Sequence, residues 1–263
     1  MGCDGSGCAT REHPVAGEAS TLTESVLADR ARRRHNARMS PHAARRLVDL
    51  SHPIHQGMVT YPGLPAPEIS DHLSREASMA RYAPGVTFQI GRISLVANTG
   101  TYLDSPWHRY AEGVDLAGLP LEHLVDLEGI VLKVTGARRR AIDVPELVPL
   151  EVGGKAVLLH TGWDLHFGTE RYAKDAPFLT DAGAAWLVEK GAALVGIDSI
   201  NIDDGGDPAR PAHSRLLAAG IPIVEHLRGL EQLPPGGFRF SAAPPRIRGL
   251  GSFPVRAYAV IEG

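Results

Sequence analysis

Four short apolar runs constrain this chain most: GIVLKV (129–134), KAVLLH (155–160), AALVGID (192–198) and IPIVEHL (221–227). None alternates apolar with polar residues, so each suits a strand buried on both faces rather than a sheet edge. All are far too short to cross a membrane as a helix. Helical signals separate the later runs. In LTDAGAAWLVEKG (179–191), Thr180 can cap the start, Ala184, Leu187 and Val188 share a face, and Gly191 can end the helix. ARPAHSRLLAAG (209–220) reads as a second, shorter helix. Strands alternating with helices predict an α/β fold with a mixed sheet. LVDLSHPI (47–54) should open the sheet and RAYAVIE (256–262) close it. VTFQIGRISLVA (86–97) alternates at Val86, Phe88 and Ile90, then shifts phase to Ile93 and Leu95, which predicts a strand with a bulge at Gly91.

At 263 residues the chain is one large domain, or one domain and an arm. Residues 1–45 differ from the rest, being rich in Ala, Arg, Gly and Ser, and are expected to form an arm that is solvated or packed on a neighbour. The run Arg32-Arg33-Arg34 within it reads as a solvated tail. Residues 46–263 are then expected to form the main domain, the one that would carry any catalytic site. A net charge of −3 argues against a nucleic-acid partner, and no apolar run suggests a membrane partner. The two cysteines, Cys3 and Cys8, cannot staple the body of the protein, and no secretory signal is evident; both fit a cytoplasmic protein.

The chemistry concentrates in ANTGTYLDSPWH (97–108). Proline favours the first position of a helix, so a turn starting at Pro106 would bring Asp104 and His108 to one side, four residues apart. Alone, such a pair also reads as a capping aspartate and a surface histidine. Other candidates are weaker. Trp163 suits a pocket lining and the core equally, Trp186 suits core packing, and His160 a hydrogen-bonded structural role. His52 and His55 lie on the opening segment, and His226 should point away from Glu225 if the strand continues. The run IDDGGDP (202–208) lacks the spacing of a calcium loop and reads as a turn, with Asp203 supporting a site rather than ligating.

The skeleton Asn98-Thr99-Gly100-Thr101-Tyr102-Leu103-Asp104-Ser105-Pro106-Trp107-His108 resembles the motif His-x-Gly-Thr-His-x-Asp-x-Pro-x-His of the cyclase superfamily, the metal-dependent hydrolases that include kynurenine formamidase and isatin hydrolase. VDLSHPIHQGMVTYPG (48–63), LLHTGWD (158–164), LVGIDSINID (194–203) and HSRLLAAGIPIVEHL (213–227) extend the resemblance over roughly residues 47–261. It implies a swivelling β/β/α domain, a mixed barrel-like sheet with flanking helices, assembled as a homodimer or homotetramer. It implies that Asp104, His213 and Glu225 ligate a metal, that His108 is the acid/base, and that Tyr61 walls the substrate. Asn98 and Tyr102 stand where the family has two first-site histidines.

An asparagine carbonyl is a weak neutral ligand, and a phenol ligates well only after losing a proton whose pKa is near 10. The first metal site is therefore expected to be absent or weak. Three N/O ligands with an open position still suffice for one catalytic ion, zinc or manganese foremost. The reading is a hydrolase that cleaves the C–N or C–O bond of a small amide, lactam or ester, arylformamidase-like. Trp107 and Tyr61 would pack the substrate, and Asn98 would hydrogen-bond to it. The alternatives are a metal-independent acid/base catalyst of cyclisation, dehydration or isomerisation, with Tyr102 donating to an oxyanion, and a non-catalytic small-molecule binder.

Overall fold

The computed structural model describes residues 45–136 and 139–262; the arm expected over residues 1–45 lies outside them, save Arg45. In chain order the strands are β1 (Arg46–Asp49), β2 (Glu68–Leu73), β3 (Ile90–Ser94), β4 (Tyr102–Asp104), β5 (Leu127–Lys133), β6 (Ala141–Ile142), β7 (Ala156–His160), β8 (Phe178–Leu179), β9 (Leu194–Ile197), β10 (Ile223–Glu225), β11 (Phe238–Ser241), β12 (Ser252–Pro254) and β13 (Tyr258–Ile261). The helices are α1 (Arg75–Ser78), α2 (Val144–Leu147), α3 (Asp181–Glu189) and α4 (Pro211–Ala218).

Nine strands form one mixed, curled sheet in the order β1-β13-β11-β5-β7-β9-β10-β4-β12. The apolar runs make its parallel centre: β5 pairs with β7, β7 with β9 and β9 with β10, all parallel. Because side chains alternate across a strand, each run feeds two cores. Ala156 and Leu158 join Leu103, Val224, Phe238 and Phe240 on one face. Val157 and Leu159 join Val195, Ile197 and the buried faces of α3 and α4 on the other. Thr180 caps α3 by accepting from the Gly183 amide at 3.0 Å, and Gly191 follows it at φ 74°. Gly129 is required in β5, because a Cβ there would enter the Phe238 ring.

One expectation is corrected. The stretch 86–97 forms only the short strand β3, paired with β2 in a two-stranded sheet apart from the main one. The irregularity lies on β2, between Asp71 and Leu73, rather than at Gly91. Val86, Phe88, Ile90 and Ile93 are exposed, with Ile90 and Ile93 on opposite faces of β3, so these apolar side chains are not covered by the core of the described residues.

Candidate active site

Strand register builds the site. In β4, Tyr102 and Asp104 share one face while Leu103 enters the core. Antiparallel pairing sets Tyr102 opposite Glu225 of β10, and Asp104 opposite Ser252 of β12. Directly opposed residues project to the same side. The Tyr102 hydroxyl accordingly donates to Glu225 Oε2, and the Ser252 hydroxyl to Asp104 Oδ1. Pro106 begins a short 3-10 turn, Pro106–His108, which carries His108 back over β12. There its Nδ1 lies 2.8 Å from Ser252 Oγ. Since the serine proton is given to Asp104, the serine oxygen accepts from Nδ1–H, and the His108 Nε2 lone pair is left free. Gly251 permits this approach, because a Cβ there would collide with the His108 backbone.

His213 arrives from α4. Its Nε2 lies 3.6 Å from both Asp104 Oδ2 and Glu225 Oε1. Its Nδ1 is held at 2.6 Å by Asp203 Oδ2. Asp203 also accepts from the Ala212 and His213 amides, at 2.6 and 3.2 Å, and so caps the helix and aims its histidine together. Glu225 Oε1 accepts from the Ile202 amide at 2.6 Å. His213 thus lies between the other two expected ligands, one carboxylate oxygen of each 3.6 Å from its Nε2. One ligand atom each from Asp104, His108 and His213 also lies within 4.8 Å of the others.

The donor set fits a divalent cation. Asp104 Oδ2 is buried without a hydrogen-bond partner. With Nδ1–H given to Asp203, His213 would turn a lone pair toward two carboxylate oxygens, and only a cation settles that arrangement. Tetrahedral ligands about 2.1 Å from an ion lie ~3.4 Å apart, close to the 3.6 Å separations here. Protonation answers the same demand. Burial opposes charge on His213, but Glu225, Asp104 and Asp203 carry its pKa up to about 10. Burial lifts the Glu225 carboxyl to about 7, with Asp104 adding to the rise and His213 opposing it.

The departures from the family pattern fill the place beside this trio. Tyr102 is 2% exposed, and burial followed by the Glu225 charge raises its phenol well above the ordinary value. Its oxygen lies 3.4 Å from that of Tyr61, which donates to the Ile200 carbonyl and receives Asn201 Nδ2 at 2.9 Å. Tyr61, Asn98, Tyr102, His108, His213 and Glu225 all line one cleft of about 420 Å³. Trp107, expected to pack the substrate, does not line it and is exposed. Each residue of a 3-10 turn is rotated about 120° from the last, so the neighbour of a cleft-facing His108 turns elsewhere.

The Cyclase family model matches residues 48–204, more than half of the chain. The chain belongs to the cyclase family. Kynurenine formamidase of Bacillus cytotoxicus is 28% identical over 211 residues, covering 80% of this chain and 95% of that protein. Kynurenine formamidase of Geobacillus thermodenitrificans is 30% identical over 170 residues, 64% of this chain and 78% of that one. The solved structure of isatin hydrolase A from Labrenzia aggregata, bound to benzyl benzoate, superposes with a TM-score of 0.73 at 22% identity, covering 88% of this chain and 100% of that one. This last likeness shows the shared fold.

Four polar cleft or site residues escaped the sequence reading, Ser252, Asn201, Arg109 and Arg210, as did the apolar Pro62 and Leu64. Ser252 stands 148 positions from Asp104 in an unremarkable GSFP stretch, and only strand register reveals it. The arginines adjoin the motif histidines, so positive charge beside ligand positions was the available signal.

Proposed function

We propose that this cyclase-family protein is a hydrolase cleaving the C–N or C–O bond of a small amide, lactam or ester, with one divalent ion, zinc or manganese, held by Asp104, His213 and Glu225. The observation that carries this reading is the approach of His213 Nε2 to Asp104 Oδ2 and Glu225 Oε1, beside a histidine whose free nitrogen faces the same cleft. The names of the relatives, kynurenine formamidase foremost, point to an amide such as an aryl formamide.

When bound, such an ion supplies Lewis acidity toward a carbonyl and acidifies water. The chain's residues do the rest. His108 Nε2 accepts a proton from the attacking water and returns it to the leaving group. Ser252 and Asp104 fix the His108 tautomer, as an orienting group does for any catalytic base. Tyr61 offers an aromatic wall, and Asn98 a polar contact to the substrate. Tyr102, its proton held by Glu225, orients that carboxylate.

The test is metal content beside turnover of formanilide. About one ion per chain is expected, with hydrolysis lost to chelator and restored by zinc or manganese. Full activity in verified metal-free protein would instead favour metal-independent acid/base chemistry, for which the place of His213 Nε2, 3.6 Å from two carboxylate oxygens, is the supporting observation. Turnover that survives loss of His108 unchanged would overturn both mechanisms, and the absence of any turnover in the wild type would leave a binder. We further propose a homodimer or homotetramer, supported by the exposed apolar face of β2 and β3.

A further inference from the structure

Arg109 follows His108, and Arg210 lies three residues before His213, so the two candidate chemical histidines each bring an arginine to the cleft. Both arginines line it. Arg139, Arg140, Arg215, Arg239 and Arg256 are all paired with carboxylates. Arg109 and Arg210 have no such partner among the described residues. Arg109 Nε donates to Ser214 Oγ at 3.2 Å, and its guanidinium lies 5.3 Å from the Tyr110 ring centre. Arg210 donates to the backbone carbonyls of Asp204 and Gly205 at 3.1 and 3.4 Å. The Asp204 carboxylate is taken by Arg140 at 3.0 Å.

These contacts brace both side chains while using few of their ten N–H donors. Arg210 is also held at φ 48°, an uncommon conformation for a residue other than glycine. A braced guanidinium with free N–H groups is prepared for a planar anion, because the ordering cost is already met and the fork matches a carboxylate. Tyr61, Pro62 and Leu64 line the same cleft and add an apolar wall. Polar anchors set within an apolar lining are how small-molecule sites orient a ligand.

We propose that Arg109 and Arg210 form an anion-binding subsite, so that the substrate is an amphipathic amide, lactam or ester bearing a carboxylate away from the scissile bond. The proposal deepens the hydrolase reading and rests on it for the scissile bond alone. In the subsite, the carboxylate accepts from the two guanidinium groups while the ring or alkyl body lies against Tyr61, Pro62 and Leu64.

The probes are 2-, 3- and 4-formamidobenzoate against neutral formanilide for turnover, and the three aminobenzoates against aniline for calorimetric binding. At least one anionic isomer should exceed its neutral counterpart by about tenfold or more in kcat/KM and in affinity. The double variant R109Q/R210Q should lower that preference by about tenfold to a hundredfold. Arg210→Lys, which keeps the charge but loses the fork, should retain part of it. Unaltered circular dichroism and melting would show the variants to be folded. Aminobenzoates bound as tightly by the double variant as by the wild type would overturn the subsite, as would the absence of any isomer preferred over aniline. Arginine-dependent binding with no formamide turned over would sink the hydrolase reading and leave the subsite standing. Equal turnover of all four formamides by both proteins would do the reverse.

Discussion

At the scale of single residues, the site depends on an absent side chain. Gly251 lies against the His108 backbone, and any Cβ there must push the histidine away from Ser252. Gly251→Ala is therefore expected to lower kcat on an aryl formamide by about a hundredfold, a general base being worth 10²–10⁴-fold, while metal content stays near one ion per chain; an unchanged kcat would remove His108 from the chemistry. Two buried imidazoles carry a second expectation. Burial, then the neighbouring Arg228 charge, lowers His52 to about 4; burial, then His52, lowers His226 to about 3. Between pH 6.5 and about 4 the unfolded chain takes up protons at these positions and the folded chain does not. Stability accordingly falls as pH is lowered through that window. Urea midpoints measured from pH 7 to pH 4 should decline, and His226→Asn, which tolerates the residue's φ of 56°, should flatten the decline. An identical slope in that variant would assign the acid sensitivity elsewhere. The family resemblance singled out Asp104, His213 and Glu225, and the fold brings His213 Nε2 within 3.6 Å of a carboxylate oxygen of each of the other two. Ser252 was invisible in the sequence because a serine gains a role only from what a distant strand sets beside it.

Elements explain why so few residues of β4, β10 and β12 suffice. Tyr102, Asp104, Glu225 and Ser252 share one patch because β4 pairs on both sides in a single register; a one-residue slip would turn them into the core. Helix α4 contributes from outside the sheet, and its first turn is tied down by Asp203. Asp203→Ala would leave two helix-terminal amides and the His213 Nδ1–H without their acceptor. It should cost about 1–3 kcal/mol of stability and weaken metal binding by about 10- to 100-fold, read by denaturant unfolding and by competition with a chelator. Retained metal affinity would show that α4 aims His213 by packing alone. The helices and parallel strands were legible because continuous apolar runs and the Thr180 and Gly191 signals have local causes. Asp203 was read as a turn residue that supports the site without ligating, and the structure shows the means, which requires the later helix to fold back onto it.

At the scale of the whole molecule, the sheet is covered on both faces, but β2 and β3 are not. Ile69 and Ile93 oppose each other across the two strands and are 47% and 54% exposed. Ile90, three residues from Ile93 in a regular strand, is 49% exposed on the opposite face, and Phe88 beyond the strand is 51% exposed. An isolated two-stranded sheet is marginal in water, and the exposed pair Ile69 and Ile93 on one of its faces marks a surface that wants cover. The alternation in 86–97 was read as burial in this chain's sheet, and the structure leaves those side chains exposed: periodicity reports apolar positions, not which molecule shields them. A second copy of the chain is the occupant expected here, since a self-complementary patch closes on itself about a two-fold axis. Light scattering coupled to size exclusion should give twice or four times the 28.1 kDa chain mass. Ile93→Glu should shift that mass toward the single chain, because a buried unpaired carboxylate opposes association, while far-UV circular dichroism stays unchanged. A wild-type protein of single-chain mass at micromolar concentration would mean that these isoleucines face water and that the cleft is complete within one chain.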